Sequence, residues 1–305
     1  MVYTLTANPC LDYILKMPRI VLDATNRSKG EKIIAGGKGL NVARVLKSFG
    51  VEAKTYGVVA GFTGREWLRQ VLEMNINTQV IQLKDGITRI NIKLTGVEQT
   101  EINATGPDVS EDEKIAFYKM FDEVSRDDIM VISGNTIPKA SDETYAKILR
   151  KLLPKGVKVI LDCAGEQMRN ALPLGPYLIK PNLDELKEIA NTCLETQEDM
   201  VDCCERLIRM GAHNVFLSLG SDGAIFVGED GAKYRIKAPM GRVKNTVGSG
   251  DAMVAAFVYG MLADMDMKES IRLAVAAGSA GAFSDELATK SSAYELLDSI
   301  ECVAI

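Results

Sequence analysis

Short, predominantly apolar runs alternate with helix-like segments along most of this chain, and that rhythm restricts the fold more than any other feature. The runs fall at 2–6, 53–59, 129–133, 158–162, 177–179 and 215–218. Segments with helical periodicity lie at 41–49, 65–74, 110–124, 141–153, 183–190 and 198–210. A strand that is apolar along its length is buried on both faces. The pattern therefore predicts an α/β fold with a mostly parallel central sheet and helices on both sides. The chain closes in helices near 251–263, 267–284 and 291–297.

Two stretches break the rhythm. Residues 13–34 carry no helical pattern and include Arg27-Ser28-Lys29-Gly30-Glu31-Lys32. Residues 87–103 alternate with period two, which predicts an antiparallel hairpin turning at Gly96. Arg89, Asn91 and Lys93 then share one face, and Ile90, Ile92 and Leu94 the other. Such an insert is either a small β lid over a site or a solvent-facing decoration. Its apolar face also offers a surface for a homodimer. With no linker, repeat or low-complexity segment, residues 1–305 are expected to form one domain, with the lid at about 13–34 and 87–103.

Composition excludes several functions. A net charge of -5 argues against a nucleic-acid-binding surface. No apolar run reaches the length of a membrane span, and the first residues resemble no secretion signal, so a cytoplasmic protein is expected. The six cysteines lack C-x-x-C spacing, which predicts reduced thiols rather than a disulfide framework or a zinc site. The one histidine, His213, falls in an expected surface turn, so acid–base chemistry is left to carboxylates.

Four segments could carry that chemistry. Thr246-Val247-Gly248-Ser249-Gly250-Asp251 precedes an uncharged helical run. Glycines at a helix start admit an anion to the backbone N–H groups, and Asp251 is either a helix cap or a general base beside that cradle. Ala35-Gly36-Gly37-Lys38-Gly39-Leu40-Asn41 is not a P-loop, because the spacing and the hydroxyl residue are missing. Lys38 could pair with a phosphate and Asn41 could bond hydroxyls, or the segment is a plain glycine turn. In Lys180-Pro181-Asn182-Leu183-Asp184-Glu185, Asn182 and Glu185 have capping-box spacing, or they orient waters on Mg²⁺. Ser218-Leu219-Gly220-Ser221-Asp222-Gly223 takes a strand end into a glycine turn, where open α/β sheets bind ligands.

Taken in order, A-G-G-K-G-x-N-V-A, T-R-I-N-I-K, K-P-N-x-x-E-L, S-L-G-x-x-G-A and T-V-G-S-G-D resemble the PfkB carbohydrate kinases, which have a ribokinase-like fold. The resemblance spans nearly the whole chain and is greatest for the 1-phosphofructokinase and tagatose-6-phosphate kinase members. It implies ATP and Mg²⁺ as cofactors. By position, it assigns the catalytic base to Asp251 and the anion hole to Gly248, Ser249 and Gly250. It places Asn182 and Glu185 near the metal through water. Lys180, Ser218, Gly220, Gly223 and Gly278 fall to the nucleotide. Asp12, Gly37, Lys38, Asn41, Arg89 and Asn91 fall to the sugar phosphate. One departure stands out: the family's S-G-S-L-P reads Ser133-Gly134-Asn135-Thr136-Ile137-Pro138 here, with the proline one place later. The implied reaction is phosphorylation of fructose 1-phosphate to fructose 1,6-bisphosphate. Tagatose 6-phosphate or fructose 6-phosphate is the alternative substrate, and a non-catalytic sugar-phosphate sensor is the alternative outside enzymes.

Overall fold

The alternation of strands and helices is realised in a computed structural model that describes residues 1–96, 100–137, 140–190 and 194–305. Among these, the first half runs β1 (Val2–Thr6), β2 (Cys10–Lys16), β3 (Gly30–Gly36), α1 (Lys38–Ser48), β4 (Ala53–Ala60), α2 (Gly61–Glu73), β5 (Asn77–Leu83), β6 (Arg89–Thr95), β7 (Thr100–Ile102), α3 (Glu111–Lys119), β8 (Ile129–Ser133) and α4 (Thr144–Leu152). The second half runs β9 (Lys158–Asp162), α5 (Gly165–Ala171), β10 (Leu178–Ile179), α6 (Leu183–Ala190), α7 (Gln197–Arg209), β11 (Asn214–Ser218), β12 (Ala224–Gly228), β13 (Lys233–Ile236), α8 (Ser249–Leu262), α9 (Met267–Ala282), α10 (Lys290–Leu297) and β14 (Cys302–Ala304).

The large sheet has the order β14-β13-β12-β11-β10-β9-β8-β1-β4-β5. Pairing is parallel from β11 to β5 and antiparallel through β12, β13 and β14. Strand residues alternate between two cores. Val131 and Ile160 join Leu40, Trp67 and Phe257 on one side; Met130, Ile132 and Leu161 join Phe117, Tyr145 and Leu207 on the other. The helices thus divide between the faces, with α1, α2, α8, α9 and α10 on one and α3 to α7 on the other.

The second sheet is four-stranded, in the order β3-β2-β6-β7. Both of its hairpins are antiparallel, as the period-two pattern predicts for 87–103. They join through a parallel pairing of β2 with β6 that puts Asp12 beside Asn91. The topology explains the direction. β2 leaves the carboxyl end of β1 and β6 leaves the carboxyl end of β5, so both strands run outward together. The small sheet also extends past the expected 13–34, from Cys10 to Gly36, which brings Asp12 into it.

Candidate active site

Between the two sheets lies a cleft of about 1260 Å³, at the carboxyl ends of the parallel strands. Its first wall is the turn from β3 into α1. A Cβ on Gly37, whose φ is +138°, would fall 2.2 Å from Thr6 Cγ2. Only glycine lets the chain pass β1 this closely. Thr6 Oγ1 then accepts from the backbone N–H of Leu40 at 2.8 Å, which replaces a side-chain cap. Lys38 and Asn41 are left facing the cleft.

The second wall is the start of α8. Its N-cap is Gly248, in the left-handed region, so Asp251 is not the cap that its sequence context allows. It occupies the third position of the helix, 3% exposed. Asn41 Nδ2 donates to Asp251 Oδ2 at 2.9 Å. Burial first, and then the charge of Asp162, push the Asp251 carboxyl up to about 6, against the pull of Lys38, Asn41 and Lys180. A carboxylate held there accepts protons near neutral pH and is still mostly ionised. The first-turn N–H groups of α8 lack intrahelical partners by construction and supply partial positive charge.

Asp162 was not singled out in the sequence, although a carboxylate ending the run Lys158-Val159-Ile160-Leu161-Asp162 was a signal. It is 1% exposed, with Lys180 Nζ at 3.1 Å and Lys38 Nζ at 3.5 Å. Burial alone would raise its pKa; Lys180 and then Lys38 bring it below the ordinary value. Lys180 also lies against the α8 terminus, since a Cβ on Gly250 would meet its Nζ at 3.1 Å.

The small sheet contributes Asp12, Arg89, Asn91 and Lys93 to the cleft, together with the Cys10 thiol. Asn91 Nδ2 donates to Asp12 Oδ1 at 3.1 Å, and the buried Asn91 Oδ1 has no partner among the described residues. Lys93 Nζ is 3.5 Å from Asp12 Oδ2 and 3.6 Å from Glu101 Oε1. Arg89 Nε donates to the Asn8 carbonyl at 3.2 Å, and its Nη1 to the Ala104 carbonyl at 3.3 Å.

On the opposite side stand Asn182, Ser218, Gly220 and Gly223, with the exposed Met240 and with Arg235 from β13, which the sequence pattern did not reveal. Ser218 Oγ donates to the Pro181 carbonyl at 3.3 Å, which ties the two strand ends together. The capping box is formed: the Asn182 N–H donates to Glu185 Oε2 at 2.9 Å, and the Glu185 N–H to Asn182 Oδ1 at 2.8 Å. Asn182 lines the cleft, whereas Glu185 stands behind it within electrostatic reach of Lys38. Gly278 also faces the cleft, but packing explains its identity: a Cβ there would lie 2.6 Å from Met253 Cγ, across the contact of α9 with α8.

Neither Ser133 nor Asn135 lines the main cleft; Ser133 is buried, and Asn135 turns into a separate hollow of about 380 Å³. The displaced Pro138 lies outside the described residues. His213 lies away from the cleft, as its expected surface turn implies, and its Nδ1 is 2.6 Å from Glu229 Oε2.

A buried, raised-pKa carboxylate beside a helix N-terminus and two ammonium groups is the equipment of a phosphotransferase with a hydroxyl acceptor. The chain belongs to the pfkB family of carbohydrate kinases, whose profile matches residues 5–291. It is 37% identical over 302 residues to the 1-phosphofructokinase of Bacillus subtilis (strain 168), covering 99% of each chain. It is 32% identical over 288 residues to the D-tagatose-1-phosphate kinase of Bacillus licheniformis, covering 94% of each. Among solved structures, phosphofructokinase-2 from Escherichia coli in complex with substrates and products superposes with a TM-score of 0.92 at 28% identity, over 98% of each chain.

Proposed function

We propose that this carbohydrate kinase transfers the γ-phosphoryl group of ATP to a ketohexose phosphate, converting fructose 1-phosphate to fructose 1,6-bisphosphate. The carrying observation is Asp251: a buried carboxylate, oriented by Asn41 and raised to about 6, at the point where the two sides of the cleft meet. Asp251 takes the proton of the sugar 6-hydroxyl as its oxygen bonds to the γ-phosphorus and the bond to the ADP oxygen breaks. The backbone N–H groups of Gly250 and Asp251 face the charge on the moving phosphoryl, with Gly248 and Ser249 shaping the turn. Lys38 and Lys180 add positive charge from either side. Such catalysis is mostly positioning and electrostatics.

The remaining polar groups divide by location. Arg89 and Lys38 give the sugar phosphate cationic partners, while Asp12, Asn91 and Asn41 present hydrogen-bonding groups to its hydroxyls, with Gly37 making room. Ser218, Gly220, Gly223 and Gly278 border the nucleotide. The small sheet serves as a lid that excludes water from the phosphoryl path. Among the described residues, no group of three or more His, Cys, Asp or Glu could hold a metal directly. The oxygen donors Asn182 and Glu185 suit Mg²⁺, which keeps several waters and takes phosphate oxygens, and they would orient those waters. When bound, Mg²⁺ supplies charge to the triphosphate.

Fructose 1-phosphate is preferred because both curated relatives are named for ketohexoses phosphorylated at carbon 1. The C4 epimers differ by one hydroxyl contact, so cross-reactivity with the tagatose series is expected. By register, Ile33, Tyr13, Ile92 and Ile102 form a row across the lid, with Ile33 and Ile102 exposed. This row is the surface we assign to a homodimer. No helix among the described residues is long and apolar enough to cross a membrane.

The test is ADP release, coupled to an indicator reaction, over fructose, tagatose and their 1- and 6-phosphates. The highest kcat/KM is expected with fructose 1-phosphate. A value for tagatose 6-phosphate at or above it would overturn the substrate assignment, and no turnover with any phosphate would leave a sensor.

A further inference from the structure

Lys38 begins α1 and Lys180 follows β10, yet both ammonium groups converge on one carboxylate at the end of β9. Asp162 is 1% exposed, and Lys180 Nζ and Lys38 Nζ stand 3.1 and 3.5 Å from its two oxygens. The other groups facing this centre come from several elements. Asp251 on α8 lies in the field of Asp162 and of both lysines. Tyr145 on α4 and the neighbouring Cys163 are buried within its reach. Glu185 on α6 acts on Lys38. Asp162 and Lys180 are buried and Lys38 is half-exposed; such a cluster is a poor device for stability, because desolvation of its buried members offsets their attraction. Its placement between the two sides of the cleft points to another use.

We propose that Asp162 is the positioning residue of the phosphoryl-transfer centre, anchoring Lys38 and Lys180 on either side of the reacting region and keeping both ammonium groups off Asp251. The role rests on Asp251 being the general base, as proposed above. Both lysines already stabilise the ionised form of Asp251, and Asp162 opposes them. If the Asp162 charge is removed, Asp251 is the buried anion left facing both cations. An ammonium resting on Asp251 holds it as a carboxylate but weakens it as a base. The same displacement removes two positive charges from where the phosphoryl group passes.

The experiment is the pH dependence of kcat for the wild type, Asp162→Asn and Asp162→Glu, with folding checked by circular dichroism. kcat is chosen because ionisation of the free sugar phosphate does not enter it. Asp162→Asn is expected to lower kcat about 10- to 1,000-fold and to move the acid limb down by about one pH unit, the effect of an uncompensated neighbouring cation. Asp162→Glu should recover part of the rate with the limb near its wild-type position. A lowered melting temperature with an unmoved acid limb in Asp162→Asn would show a structural ion cluster and overturn the proposal. If Asp162→Asn does not fold, Lys180→Met reads the same network from its other end. There the Asp162 charge is left less compensated, and the limb should move up; an unmoved limb again overturns the proposal. Asp251→Asn separates the two readings. Near-normal turnover in that variant removes the general base and the kinase mechanism with it. An inactive Asp251→Asn beside an unshifted Asp162→Asn removes only the positioning role.

Discussion

The side-chain amide of Asn41 donates to Oδ2 of Asp251 at 2.9 Å, joining the first turns of α1 and α8 across 210 residues of chain. The bond occupies one carboxylate oxygen and orients the carboxylate, which sets the position of the other. Because Gly248 is the N-cap, Asp251 contributes nothing to capping, and its removal should leave α8 intact. Asp251→Asn is therefore expected to fold normally and to lose roughly 10²–10⁴-fold in kcat, the usual range for a general base. Steady-state kinetics with saturating ATP and sugar phosphate measures this. Turnover within a factor of a few of the wild type would take Asp251 out of the chemistry.

The same residue sets a dependence of stability on pH. Its pKa in the folded chain is about 6, above the 3.8 of an exposed aspartate. Between those values the folded state holds a proton that the unfolded state has released, so stability falls as pH rises through this window. Above pH 6 the ionised Asp251 costs on the order of 2–3 kcal/mol. Asp251→Asn should accordingly melt higher than the wild type at pH 8 and lose that advantage near pH 4. Thermal unfolding at the two pH values gives the answer; equal melting temperatures at both would mean that Asp251 titrates as an exposed carboxylate. Asp162, whose pKa is lowered, contributes with the opposite sign, and its share is lost as pH falls through the acid range.

Local pattern carried the parallel sheet, because strand burial on both faces leaves an apolar run and helices leave a 3.6-residue period. It also carried the glycine turns, where a backbone must pass close to another strand. Pairings made between distant segments were less visible. The parallel joining of β2 to β6 depends on where two earlier strands end, and nothing in residues 10–16 records that. The three residues of β7 and the late strand β14 are too short for a period to show. Asp162 carries only a weak local signal, a carboxylate ending an apolar run, because its role depends on Lys38 and Lys180, which arrive from other elements. Local pattern left Asp251 open between cap and general base, because position alone does not separate the residue before a helix from its third residue.

Glu185 is held by its capping box, and glutamine keeps that geometry, since its side-chain oxygen can still accept from the Asn182 N–H. Glu185→Gln should therefore lose less than about 1 kcal/mol of stability. If Glu185 orients metal-bound water, the variant should need several-fold more free Mg²⁺ for half-maximal rate, with slower turnover at saturation. Titrating Mg²⁺ at fixed ATP separates the possibilities. An unchanged Mg²⁺ curve would leave Glu185 as a capping residue only.

Arg89 has two attachments, to the Asn8 and Ala104 carbonyls in the segments that lead into and out of the small sheet. Asn8 Nδ2 also donates to the Thr105 carbonyl at 2.9 Å, so these segments hold each other without Arg89. Arg89→Ala should then leave the sheet in place while removing a cation from the sugar side. Loss of a charge-assisted hydrogen bond, about 1.5–3 kcal/mol, predicts a KM for the sugar phosphate raised about 10- to 150-fold. The KM for ATP should change little, because Ser218, Gly220 and Gly223, which we assign to the nucleotide, stand on the opposite side of the cleft. Arg89→Lys should fall between the two, keeping the charge without the guanidinium fork. An uncharged sugar tested as acceptor should show no difference between wild type and Arg89→Ala, because the lost partner is the phosphate. Equal increases in both KM values would place Arg89 away from the sugar and end the case for the small sheet as a substrate lid.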